Sequence, residues 1–187
     1  MQIISLLSAL FHKTGTGLDL QRIQRRQKAA AARAVRETRE KETSLLAGRV
    51  WKESEAGDFD PDLAQWAPVL IVVPPSIIQN WTHDFDMWGH FSIAVYQGTG
   101  RMKALESIQR GVAEVLICPK SLFMMPSDFR KLSAVPFKLI IVDEFHQFKN
   151  RKKLMAAHLR GIRDEQSALV VGLTGTVMQN RYVAYLC

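Results

Sequence analysis

An α/β layer fold with a mostly parallel sheet is predicted by three features of this 187-residue chain. Apolar runs of strand length, such as Val69-Leu70-Ile71-Val72-Val73 and Leu139-Ile140-Ile141-Val142, alternate with helix-like stretches. The runs are apolar at every position rather than at alternate ones, which suits strands covered on both faces. Small and polar residues gather just past the ends of the runs, where parallel sheets hold their ligands.

The elements follow in order. Apolar residues at 3, 4, 7, 10 and 11 fit the buried face of a helix over 2–12. That stretch has no basic lead and no small-residue cleavage site, and a bilayer span takes about 20 residues, so it reads as a core helix rather than a leader or membrane segment. Lys13 to Gly17 is a break. Residues 19–47 are rich in Ala, Arg, Gln and Glu with little apolar periodicity, which predicts a polar helix lying outside the core. Gly48 to Ala67 reads as a loop, with Gly57, Asp58, Asp60 and Pro61 as breakers. The strand 69–73 stops at Pro74-Pro75, and a helix over 76–88 follows with Ser76 as its N-cap. Its Trp81, Phe85 and Trp88, with Phe91, read as packing residues. A strand at 92–96, a helix at 101–109, a strand at 114–118 and a short helix at 127–132 come next. The strands 139–142 and 168–171, with a helix near 151–163 between them, complete the pattern. The chain therefore divides into a first helix (1–12), a basic helical insertion with linker (13–67) and the main α/β part (68–187).

Composition narrows the class. Apolar residues make up 47% and charged residues 23%, ordinary for a soluble domain with a real core. The net charge is +7, which favours polyanionic partners such as nucleic acid. Residues 21–43 carry eight basic side chains against three acidic ones, five of that net charge. This segment reads as a solvated helix, a DNA-contacting arm or an import signal. Two distant thiols, Cys118 and Cys187, point to a reducing compartment, and no His/Cys cluster suggests a structural metal.

Chemistry concentrates at two strand ends. Asp143-Glu144 follows 139–142, and Thr174-Gly175-Thr176 follows the last strand. An Asp at such an end suits a magnesium–nucleotide site, and a Glu beside it can orient and deprotonate an attacking water. The bare pair also fits the acidic start of a helix. Lys13-Thr14-Gly15-Thr16-Gly17 and Gly98-Thr99-Gly100 both read as turns, because neither has the G-x-x-x-x-G-K-[ST] spacing of a phosphate loop.

In order, three segments resemble the motifs of the Snf2 family of superfamily 2 helicase-like ATPases. Leu70 to Trp81 resembles motif Ia, Asp143-Glu144-Phe145-His146-Gln147-Phe148-Lys149-Asn150 resembles extended motif II, and Leu173 to Asn180 resembles motif III. The likeness covers residues 1–12 and 68–187 and extends to the excision-repair six-like-two branch, through His12 to Thr16, Asn80-Trp81 through Asp86 to Phe91, and Gly172 to Thr176 with Val177 in place of a proline. It implies a RecA-like nucleotide-hydrolase lobe using ATP and Mg2+, with Asp143 as magnesium ligand and Glu144 as catalytic base. It implies that His146, Thr174, Thr176 and Gln179 couple the ATP site to DNA and to a second lobe, and that Pro74, Ser76 and Asn80 lie near duplex DNA. A nuclear protein acting on duplex DNA or chromatin follows, with no membrane role. Relatives carry G-x-G-K-T before a sequence like Met1-Gln2-Ile3-Ile4-Ser5; that motif, its strand and the second lobe are not among these residues. The chain by itself is therefore expected to be inactive, and Leu169-Val170-Val171 is expected to carry an open sheet edge. Phe145 stands where relatives have Ala, and Ile117-Cys118-Pro119-Lys120-Ser121 departs from motif Ib.

Overall fold

A computed structural model describes residues 2–47, 68–145 and 152–174. Five strands are present among them: β1 (Val69–Val73), β2 (Ile93–Val95), β3 (Val115–Pro119), β4 (Leu139–Val142) and β5 (Leu169–Gly172). They form one all-parallel sheet in the order β2-β3-β1-β4-β5. The apolar runs explain the arrangement. β1, β3 and β4 are buried at every position, and alternate side chains enter two separate cores.

Helices cover both faces. On one, Ile4 and Leu7 of α1 (Gln2–Leu10) and Ile78 and Phe85 of α3 (Ile78–Trp88) pack on Ile71, Ile117 and Ile141. On the other, α4 (Arg101–Gln109), α5 (Lys120–Phe123), α6 (Pro126–Ser133) and α7 (Lys152–Gln166) pack on Leu70, Leu116 and Ile140. The predicted core helix at the N-terminus is thus α1. A buried tyrosine fixes α6: Tyr96 Oη donates to Asp128 at 2.7 Å, and Asp128 is 1% exposed.

The long polar helix is α2 (Gly17–Leu46). Thr16 caps it, its hydroxyl accepting from Leu18 N–H. Asp19 is fully buried and its carboxylate accepts from the backbone N–H groups of Thr14 and Gly15 at 2.9 and 2.8 Å. Burial alone raises a carboxyl pKa, but these donors outweigh it and hold Asp19 below its ordinary value. The Lys13–Gly17 stretch is therefore a capping turn in which the Thr14 and Gly15 amides are already engaged. Lys13 and Arg26 both bind the buried carboxylate of Glu114, Lys13 at 2.7 Å, which ties the start of α2 to the residue just before β3.

One local expectation is corrected. Ser76 does not cap a helix: Pro75 to Ile77 form a 3-10 turn, and Ile77 occupies the N-cap of α3. Pro75 has its φ preset for the first helical position, so the turn begins one residue earlier than the serine suggests. α5, directly after Pro119, was not anticipated. The predicted loop over Gly48 to Ala67 lies outside the described residues.

Candidate active site

The sheet register gathers the sequence motifs at one edge. Val72 pairs with Val142, and Asp143 N–H donates to Val72 C=O at 2.9 Å, so the ends of β1 and β4 lie side by side. Val142 pairs with Gly172, and Phe145 N–H donates to Leu173 C=O at 2.9 Å, which brings in the end of β5. Asp143, Glu144 and Thr174 thus meet at the carboxyl ends of the strands, with Pro74, Ser76 and Asn80 opening from β1 beside them. His146, Thr176 and Gln179 lie outside the described residues.

Asp143 is half-buried and held from two directions. Trp81 Nε1–H donates to Oδ2 at 2.9 Å, and Glu144 N–H donates to Oδ1 at 2.7 Å. Each oxygen keeps lone-pair capacity, and a carboxylate is a hard oxygen donor. Magnesium binds through one or two carboxylates plus substrate phosphates and water rather than a dedicated protein cage. The Asp143 carboxylate, with its free lone pairs, fits a magnesium that arrives with a nucleotide.

Glu144 has φ +49°, in the left-handed region that costs a non-glycine residue about 1–2 kcal/mol. Its neighbours enforce that turn. Its N–H is bound to Asp143, its C=O accepts from Lys120 Nζ at 2.8 Å, and the next amide is bound to Leu173. Backbone strain held by several independent bonds is typical of functional sites. Lys120 is half-buried; burial lowers its pKa, opposed by the carboxylates of Asp143 and Glu144.

Phe145 sits on Gly172. A Cβ at Gly172 would meet Phe145 Cγ at 3.2 Å, so the bulky side chain at 145 goes with a glycine at the end of β5. Gly172→Ala is expected to destabilise the wild-type chain and to be nearly neutral in a Phe145→Ala background; a thermal-melting double-mutant cycle reads that coupling.

Of the DNA-side residues, Ser76 and Asn80 are exposed, whereas Pro74 is buried and shapes the turn rather than presenting a surface. Trp81 and Lys120 were not found as site residues from sequence. For Trp81 a signal existed. It falls in the first turn of a helix that starts at the carboxyl edge of the sheet, on the same face as Ile78 and Phe85. A side chain there faces strand ends. Cys118 of β3 is buried in the core, and burial pushes its thiol pKa well up, which makes it inert at neutral pH.

β5 closes the described sheet on this side. It pairs with β4, its side chains are half-buried to exposed, and Leu169 is 64% exposed, unlike any residue of β1, β3 or β4.

Comparison with known proteins agrees with this geometry. The SNF2-related domain family matches residues 1–185. Switch 2 of Arabidopsis thaliana is 34% identical over 139 residues, 74% of this chain and 16% of that protein. The DNA excision repair protein ERCC-6-like 2 of Mus musculus is 26% identical over 187 residues, all of this chain and 10% of that protein. The DNA repair and recombination protein RAD54B of Mus musculus is 31% identical over 112 residues, 59% of this chain and 12% of that protein. The chain spans a sixth or less of the length of each of these relatives. With its all-parallel RecA-like sheet and motif residues at one sheet edge, the chain belongs to the SNF2-related domain family.

Proposed function

We propose that this chain forms most of the first RecA-like lobe of an ATP-dependent motor that moves on duplex DNA in the nucleus, in repair or chromatin remodelling. The observation that carries the reading is the fixed Asp143-Glu144 pair at the carboxyl end of β4, bonded to Trp81 and Lys120. Relatives named as a probable ATP-dependent DNA helicase in Arabidopsis thaliana and as a DNA repair and recombination protein in Mus musculus support the partner class.

In this reading Asp143 would hold magnesium, and Glu144 would take the proton of the attacking water. The bound ion would neutralise charge on the transferred phosphoryl group. Trp81 orients the Asp143 carboxylate, while Lys120 and Asp143 fix the backbone from which the Glu144 side chain projects. Thr174, with His146, Thr176 and Gln179, relays the state of the site to DNA and to a second lobe. Ser76 and Asn80 face the duplex from α3 and the turn before it. Because Trp81 directly follows Asn80, one helical turn links the DNA side to the metal carboxylate. Among the described residues β5 pairs only with β4, and its other side is where the family's phosphate-loop strand would add.

Asp143→Asn is expected to abolish magnesium-dependent ATP turnover by the protein carrying this lobe while leaving duplex binding intact. Retained turnover would remove Asp143 from the metal site. The 187 residues contain no G-K-[ST] segment, so the chain alone is expected to hydrolyse ATP at background rate. Trp81→Phe keeps the ring and removes the N–H. It is expected to weaken metal affinity about 10-fold or more, seen as a raised magnesium requirement for nucleotide binding, with little change in Tm.

A further inference from the structure

We propose that the outward face of α2 is a docking surface for the phosphate backbone of duplex DNA, separate from the Ser76–Asn80 surface and independent of nucleotide chemistry. The helix is fastened at its start by the Thr16 cap, the buried Asp19, and the Lys13 and Arg26 bonds to Glu114. Ile23 and Ala30 are its buried apolar residues, and none is buried beyond Ala30, yet α2 runs on to Leu46. Beyond Ala30 only Arg33, Ala34 and Ser44 are partly buried, so most side chains of that stretch face solvent, where a partner can reach them.

Charge is sorted around this helix. At about 100° per residue, Arg25, Lys28, Arg36 and Arg39 fall within one sector of about 80°, on the side opposite Ile23 and Ala30. All four are exposed. Glu37, Glu40 and Glu42 lie outside that sector by the same geometry. Arg36 Nε donates to Glu40 at 2.9 Å, but a pair this exposed is weak and readily exchanged for a stronger anion.

The spacing also fits. Arg25 and Lys28 are about one turn apart, as are Arg36 and Arg39. Eight residues separate Lys28 from Arg36, a rise of about 12 Å. The major groove of B-DNA is about 12 Å wide. Between the two cation pairs the sector holds the small exposed side chain of Ala32, which lets the helix approach closely. Each pair then meets the phosphates of one strand bordering the groove. Such contacts position the protein without reading sequence.

The test uses the full chain without nucleotide and a fluorescent 20-base-pair duplex, with anisotropy followed across a salt series. One variant carries Arg25→Gln, Lys28→Gln, Arg36→Gln and Arg39→Gln. A control lowers the net charge equally through Arg110→Gln, Lys131→Gln, Lys138→Gln and Arg160→Gln, all exposed positions outside α2. Circular dichroism confirms that α2 still forms, and the pair variant Arg36→Gln/Arg39→Gln serves should the quadruple lose helix. The stripe variant is expected to flatten the slope of log K against log salt by about 0.9 for each phosphate no longer neutralised, the control by much less. The same flattening in a Ser76→Ala/Asn80→Ala background would support a separate surface. Equal effects in both charge variants, an unchanged slope in the stripe variant, or stripe-dependent binding to polyglutamate in preference to the duplex would overturn the proposal.

Discussion

Glu144→Gln is expected to lower ATP turnover by the protein carrying this lobe by about 10²–10⁴-fold, the usual contribution of a positioned general base. The exchange is close to isosteric. The two bonds that hold the residue in its left-handed turn, from its own N–H to Asp143 and from Lys120 to its C=O, belong to the backbone and survive it. Tm is therefore expected to move little, and duplex binding through Ser76 and Asn80 to persist. Single-turnover phosphate release separates the loss of chemistry from any loss of ATP binding. A fall of less than tenfold would move the base to another residue.

Glu114→Ala is expected to cost about 3–5 kcal/mol of folding stability, a large effect for a change away from the site. The carboxylate is 2% exposed and accepts from Lys13 at 2.7 and 2.9 Å, from Arg26, and from Ser92 N–H at 2.9 Å. Lys13 and Arg26 side chains are themselves only 4% and 11% exposed. Removing the anion strands two buried cations. The first effect is release of α2 from the sheet, so Arg22 to Ala30 should lose hydrogen-exchange protection before the strands do. Chemical denaturation gives the magnitude. A loss under 1 kcal/mol would mean that the cations find water without unfolding.

Much of this was legible in the sequence, for identifiable reasons. Strands β1, β3 and β4 sit between two helical layers, so their runs are apolar throughout and stand out without any neighbour being known. α4 begins at Arg101 as expected because Gly98, with φ +59°, breaks the chain just before it. The two motif turns could be placed at strand ends because each directly follows an apolar run. What escaped is what long sequence separation hides. Glu114 meets Lys13 and Arg26 across 101 and 88 residues, and Trp81 meets Asp143 across 62. No local pattern announces such a pair. Trp81 lies on a packing face and reads as packing; only the sheet register turns its N–H toward a carboxylate. The left-handed turn at Glu144 escaped too, since nothing in Asp-Glu-Phe marks positive φ as a glycine would. The Gly172 requirement shows only once the Phe145 ring is seen above it.

The central claim is that the β4 carboxylates hydrolyse ATP under the control of duplex DNA. Steady-state phosphate release by the wild-type protein carrying this lobe, with magnesium–ATP and increasing duplex DNA, tests it most directly. The expected result is turnover that rises with duplex and saturates. Turnover indifferent to duplex, or none at any duplex concentration, would contradict it.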